Sequence, residues 1–151
     1  MRVYVRFAAL SLIVAAACGG GASSDKPAAA EVVNGSPEAM ADPATLTPES
    51  ITPKELALGD SIFHGLIPPT SCMACHGPDA KGSSVAPNLT DTTWIHSDGS
   101  FPAIYKQIAT GVPQPKQFLG VMPPFGGVPL SPERHRAVAA YVYSLSHKVG
   151  K

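Results

Sequence analysis

The run Cys72-Met73-Ala74-Cys75-His76 limits what this chain can fold into more than any other feature. Two thiols stand three positions apart, and an imidazole follows the second directly. A zinc site would want a second pair of ligands, but the only other cysteine, Cys18, lies near the N-terminus. A thioredoxin-like redox pair has no use for His76 and would sit beside a βαβ pattern, which the sequence lacks. A disulfide between the two cysteines would leave a loop-rich domain without a core. The spacing is instead the attachment signature of c-type haem. Each thiol then adds to one vinyl group along a porphyrin edge, and His76 comes to lie beneath the iron as an axial ligand.

A bound group of that size also answers a deficit elsewhere in the chain. Sixteen prolines and fourteen glycines punctuate the 151 residues, which excludes a long-helix or coiled-coil protein. Alanines, twenty-one of them, inflate the 44% hydrophobic content, so bulky apolar side chains are sparse and the core needs help. The length suits one ordinary domain and not two. Eleven basic residues balance eleven acidic ones, so no long-range field draws the chain to nucleic acid or an acidic membrane surface.

Three segments carry helical signals. Thr52-Pro53-Lys54-Glu55 is a capping box with proline at the first helical position, and Leu56, Gly59 and Phe63 line one face after it. This predicts a first helix over 52–63. Phe101, Ile104, Tyr105 and Ile108 predict a second over 97–111, stopped by Gly111. Ser131-Pro132-Glu133-Arg134 opens a third, with Val138, Tyr141, Val142 and Leu145 on one face. No strand pair is convincing. The predicted class is all-α, with three main helices and long loops wrapped around one covalent haem.

The N-terminus reads as an export signal. Arg2 and Arg6 precede an apolar run over 7–17, and these eleven residues would span only about 16 Å as a helix, too short for a bilayer. Ala15-Ala16-Ala17-Cys18 resembles the bacterial lipobox, with Ala where Leu is usual, so Cys18 is expected to carry a lipid. An ordinary signal peptide followed by a stray thiol is the alternative. Gly, Ala, Ser and Pro then dominate 18–47, a composition that cannot offset its own ordering entropy, and a flexible linker with a reach of roughly 30 Å is expected. The folded domain is placed at 48–151.

The other axial position points to Met122. Met40 falls in the linker and Met73 inside the motif, whereas Met122 stands 46 residues past His76 in the stiff run Gly120-Val121-Met122-Pro123-Pro124-Phe125. A thioether there would raise the reduction potential relative to a second imidazole. A core methionine filling a gap is the bland alternative. His64, His96, His135 and His147 are read as solvated, the alternative being that one of them replaces Met122 as a ligand.

With these residues in view, the chain resembles a class I cytochrome c, of the small bacterial mono-haem kind found alone or as oxidase-subunit domains. The likeness runs from about Pro53 to Leu145. Gly59 and Phe63 match the glycine and aromatic of that family's N-terminal helix, and Cys72-Met73-Ala74-Cys75-His76-Gly77 matches its haem motif. Ala86-Pro87-Asn88-Leu89-Thr90 matches the segment that follows. The resemblance implies that the Pro87 carbonyl accepts a hydrogen bond from His76, that Leu89 packs on the ring and that Trp94 lies near the haem edge or propionates. Met122-Pro123 matches the methionine-ligand loop, and 140–145 looks like the terminal helix that crosses the first near Gly59. Cytochromes of the four-helix-bundle class carry the motif near their C-terminus, whereas here more than 70 residues follow it.

These readings imply an electron carrier, not an enzyme: one haem c cycling between Fe(III) and Fe(II) with His76 and Met122 as ligands. Redox proteins would be its partners, a monomer its state, and the periplasmic side of a bacterial membrane its place, with Cys18 as the anchor. The lysines Lys81, Lys106, Lys116 and Lys148 are scattered and read first as ordinary surface charge, with Lys81 and Lys116 near the exposed haem edge as the alternative. An open-iron enzyme or gas sensor, and a fixed subunit of a larger oxidase or dehydrogenase complex, are the other classes the sequence admits.

Overall fold

A computed structural model describes residue 42 and residues 45–149, all within the unit Asn34–Lys151. The expected signal segment, Cys18 and almost all of the linker lie outside the described residues. In chain order the elements are a 3-10 turn at Pro48–Ser50, α1 (Pro53–Phe63), α2 (Met73–His76), α3 (Phe101–Thr110), a second 3-10 turn at Pro124–Gly127 and α4 (Pro132–Ser146). Among the described residues there is no strand, only an isolated antiparallel bridge between Val112 and Met122. The architecture is all-α, as expected, with loops between the helices.

The three longer helices start by one device. A serine or threonine caps the first turn and a proline occupies its first or second position, where no N–H is needed. At α1 the capping box closes fully: Glu55 N–H donates to Thr52 Oγ1 at 3.2 Å, and Thr52 N–H donates to Glu55 Oε2 at 2.9 Å. The second helix begins four residues later than the predicted 97, at Phe101. Its approach is taken by side-chain turns, in which Ser100 N–H donates to Asp98 Oδ1 at 2.9 Å and Gly99 N–H to Ser97 Oγ at 3.4 Å. Short polar side chains that bond their own backbone compete with helix, and here they win.

Helices α1 and α4 cross where the sequence supplies a small residue. A methyl group on Gly59 would run into the Ala137 carbonyl and the Tyr141 Cβ. The missing side chain lets the two backbones approach, and Ile62, Phe63, Val138 and Ala140 close the contact with almost no exposure. Phe63 and Tyr141 rings meet at 5.4 Å. Arg136 on α4 ties in the chain that enters α1: its guanidinium donates to Glu55 Oε1 at 2.6 Å, to the Thr45 carbonyl at 3.2 Å and to Ser50 Oγ at 2.9 Å. Leu46, two residues before the expected domain start, is only 3% exposed and belongs to the core.

Helix α3 contributes Phe101, Ile104, Tyr105 and Ile108 to the same core, as its periodicity predicts. His135 contradicts the expectation of a solvated side chain: it is 3% exposed. Its Nε2–H donates to the Tyr105 carbonyl at 2.8 Å, its ring stacks on Tyr105 at 3.6 Å, and the Phe125 ring meets it edge-on at 5.0 Å. Position 135 lies three before Val138 and seven before Val142, on the buried stripe of α4; the carbonyl supplies the partner that lets a polar ring sit there. His64, His96 and His147 are half-buried rather than fully solvated.

Candidate functional site

One turn of helix arranges the motif. In α2, Cys75 N–H and His76 N–H both donate to the Cys72 carbonyl, at 3.2 and 3.1 Å, and Gly77 at φ 79° ends the turn. Residues three and four apart share a helix face. Cys72, Cys75 and His76 accordingly border one large cavity, which Met73 and Ala74 do not. The cavity and its open mouth together take in about 1370 Å³ of space outside the protein atoms, part of it solvent.

The loop after α2 is shaped to hold His76. Gly82 N–H donates to the His76 carbonyl at 2.8 Å, Ser83 Oγ–H to the Cys75 carbonyl at 2.7 Å, and Leu89 N–H to the Ala80 carbonyl at 2.8 Å. This folds Pro87 back over the motif, where its carbonyl accepts the His76 Nδ1–H at 3.0 Å. Burial holds the His76 pKa below its ordinary value, against the opposing pull of that hydrogen bond. The ring is therefore neutral at pH 7, with its proton on Nδ1 and the Nε2 lone pair free for a metal. Burial, with Cys75 beside it, pushes the Cys72 thiol up to about 11, so it stays protonated and does not behave as a low-pKa redox cysteine.

The remaining predicted residues converge on the same space. Pro87, Leu89 and Trp94 border it from the segment after the motif, and Met122 from the loop after α3. Met122 exchanges both backbone hydrogen bonds with Val112, at 2.8 and 3.1 Å. Gly111, at φ 68°, makes this pairing possible: a side chain there would be strained and would collide with the Met122 carbonyl. Two buried polar atoms on the wall, Trp94 Nε1 and Gln107 Oε1, have no hydrogen-bond partner. Such orphans are costly, and they mark places where a guest with polar edges would be received. Two thiols, a neutral imidazole and a thioether around an apolar cavity with a polar margin fit a haem c.

Gln107, which also borders the cavity, was not singled out by the sequence, and His96, read there as solvated, borders it as well. Gln107 does lie three positions after Ile104, on the same face of α3, so helical geometry alone could have placed it on the wall. His96 follows no periodic pattern and gave no signal. Cys18 lies outside the described residues. Among the described residues, no cluster of three His, Cys, Asp or Glu side chains could hold a metal ion, and no helix is long and apolar enough to cross a membrane.

The family model described as cytochrome c oxidase, cbb3-type, subunit III matches residues 55–142. The cbb3-type oxidase subunit CcoP of Rubrivivax gelatinosus is 38% identical over 94 residues, 62% of this chain and 27% of that protein. The subunit FixP of Rhizobium meliloti (strain 1021) is 42% identical over 79 residues, 50% of this chain and 27% of its own length. The chain thus spans about a quarter of these curated relatives. Among solved structures, cytochrome cL from the marine methylotroph Methylophaga aminisulfidivorans superposes with a TM-score of 0.46 and 19% identity, over 62% of this chain and 55% of that one. The match over 55–142 covers more than half of the chain; the protein belongs to the cbb3-type cytochrome c oxidase subunit III family, and its folded part is a cytochrome c domain.

Proposed function

We propose that this chain is an electron-transfer protein that holds one haem c through Cys72 and Cys75, with His76 and Met122 as the axial ligands. The observation that carries the reading is the convergence of these four side chains on one cavity. Bound haem c supplies a one-electron Fe(III)/Fe(II) couple. The chain's own residues do the rest. Cys72 and Cys75 fasten one edge, and the Pro87 carbonyl keeps the His76 proton on Nδ1 so that Nε2 faces the cavity. Val112 and the two prolines after Met122 hold the thioether loop in place at low entropic cost. With His76 and Met122 as its ligands, a bound iron would keep no position for a substrate. Trp94 Nε1–H is a donor for a carboxylate at the cavity margin, and Leu89 supplies apolar wall.

The export segment and the small-residue run ending at Cys18 support a place on the periplasmic side of a bacterial membrane, tethered by a lipid on Cys18. Redox proteins of a respiratory chain are its partners under this reading. Similarity to CcoP and FixP favours a second form of the same function, a fixed subunit of an oxidase complex rather than a mobile shuttle. Co-purification with a membrane oxidase separates the two forms.

The test is an absorption spectrum of the haem-loaded protein, reduced, with and without carbon monoxide. A sharp ferrous spectrum that ignores the gas is expected. Met122→Ala should lower the reduction potential and make the iron bind carbon monoxide. A variant with unchanged potential and no gas binding would overturn Met122 as ligand and turn attention to His96, which borders the same cavity.

A further inference from the structure

His135 is the only fully buried histidine among the described residues, and it stands behind the cavity wall rather than on it. Its contacts lead to the loop that carries Met122. The ring stacks on Tyr105 of α3, 20° from parallel, with Nε2–H held by the Tyr105 carbonyl, and the Phe125 ring stands at 88° to it. Of these three rings only Phe125 borders the cavity. A line of aromatic contacts therefore runs from α3 through α4 to the wall.

The turn at the end of that line needs holding. Met122 leads into Pro124–Gly127, whose backbone is left-handed at three successive residues, with φ 55° at Phe125, 72° at Gly126 and 102° at Gly127. The two glycines adopt this freely, but a phenylalanine there persists only where its surroundings over-determine it. Pro123, Pro124 and both glycines are exposed, so within 123–127 only the half-buried Phe125 offers a side chain for the interior to grip. The turn itself closes on one backbone bond, from Gly126 N–H to the Pro123 carbonyl at 3.0 Å. Val112 thus secures the loop at Met122, and the Phe125 ring secures it three residues on. A histidine suits the gripping position. The stack on Tyr105 and the Nε2–H bond fix its plane, and a ring fixed in plane can meet Phe125 edge to face. An aliphatic side chain would fill the space without offering a plane.

We infer that His135 is a positioning residue for the axial methionine: through Phe125 it pins the left-handed turn after Met122 and so opposes withdrawal of the thioether from the cavity. The inference rests on the reading of Met122 as an axial ligand.

The test is a titration of the full, haem-loaded ferric protein with imidazole at neutral pH, read in the weak red absorption band of a thioether–Fe(III) bond. Hydrogen exchange at the Gly126 amide is followed beside it. Imidazole reaches the iron only when the thioether has left, so its apparent affinity counts the population with the loop withdrawn. His135→Leu should bind imidazole about fivefold tighter than the wild type, the scale of a lost edge-to-face ring pair, and should exchange the Gly126 amide faster. His135→Phe should recover most of that difference, since a ring stacked on Tyr105 still meets Phe125. Phe125→Gly, unstrained at this φ, should resemble His135→Leu, and adding His135→Leu to it should change little more, because the two side chains act as one link. Ile62→Val, a buried change in α1 away from the cavity wall, should lower Tm and leave both readouts as in the wild type. Additive effects in the double variant, an imidazole affinity unmoved in His135→Leu, or no recovery in His135→Phe would overturn the inference. So would an equal rise in Ile62→Val, which would make the effect one of general stability. A wild type without the red band breaks the ligand reading instead, and exchange at Gly126 then still reports whether His135 pins the turn.

Discussion

The α1–α4 crossing and the cavity wall are built on opposite principles. At the crossing, Gly59 lets the backbones of α1 and α4 approach until no space remains between them, while Phe63 and Val138, packed there, also border the cavity. The wall formed by the 80–90 loop, α3 and the 112–126 loop has side chains on one side and a void on the other, with Trp94 Nε1 and Gln107 Oε1 left unpaired. The first region is a core in its own right. The second is half of one, and a guest must supply the other half.

That contrast can be broken most directly by withholding the guest. Cys72→Ser with Cys75→Ser removes covalent attachment. A residual void of only 300 Å³ would cost about 7 kcal/mol, which is as large as the whole stability of many domains of this size. In the double variant, hydrogen exchange should show the amides of 80–90 and 112–126 unprotected while parts of α1 and α4 keep protection. Uniform protection in both regions would mean that the wall stands without a guest. Gly59→Val attacks the other side. Its side chain would meet the Ala137 carbonyl and Tyr141, and overpacking at a backbone contact costs about 3 kcal/mol, or more than 10 °C in Tm. The visible spectrum of the folded fraction should stay as in the wild type. A changed spectrum with an unchanged Tm would reverse the assignment of the two regions.

The two regions also differed in how legible they were. The starts of α1 and α4 and the end of α3 were open to reading because capping is local: Thr52 with Glu55, Ser131 with Pro132, and the glycine at 111 act over four residues or fewer. The cysteine pair and His76 were legible for the same reason, since one helical turn puts them on one face. What escaped depends on contacts across the chain. His135 was misplaced because its polarity outweighed its position on the buried stripe, and its partner, the Tyr105 carbonyl, is thirty residues away. The start of α3 was misplaced by a rival local rule, the turns at Ser97 and Asp98. The hydrogen bond from Gly120 N–H to the Val85 carbonyl joins two loops, and no periodicity announces it.

His135 gives a smaller effect, on the seam between the regions, where it packs on Tyr105 of α3 and Phe125 of the 112–126 loop. Burial holds its pKa below the ordinary value, against the hydrogen bond to Tyr105. The unfolded chain therefore binds a proton here more readily than the folded one. Stability from this residue is present above about pH 6.5 and is lost as pH falls below it, until the folded pKa is reached. His135→Phe should flatten the acid limb of a Tm-against-pH curve while costing about 1 kcal/mol for the lost hydrogen bond to the Tyr105 carbonyl. An unchanged acid limb would place the proton uptake elsewhere.

The smallest effect, and the one with the opposite sign, belongs to His64 at the C-terminal end of α1. Its Nε2 lies 2.9 Å from the Pro78 carbonyl, and its Nδ1 lies 2.9 Å from the Asp60 carbonyl and 3.0 Å from the Asp60 carboxylate. Carbonyls only accept, so the ring satisfies both contacts only with a proton on each nitrogen. The Pro78 carbonyl first, then that of Asp60, hold the pKa above its ordinary value. The folded state binds the proton more tightly, so the stabilisation is complete below about pH 6.5 and is lost as pH rises through the folded pKa. Half-exposed pairs of this kind are worth only about 0.5 kcal/mol. His64 nevertheless ties the self-packed helix to Pro78, two residues beyond His76, and so joins the region that stands alone to the region that needs a guest. His64→Gln keeps one donor and abolishes the titration: the alkaline limb of the Tm curve should flatten slightly while His135 still shapes the acid limb. Should the two limbs move together in either variant, the histidines would be coupled and the two regions would behave as one.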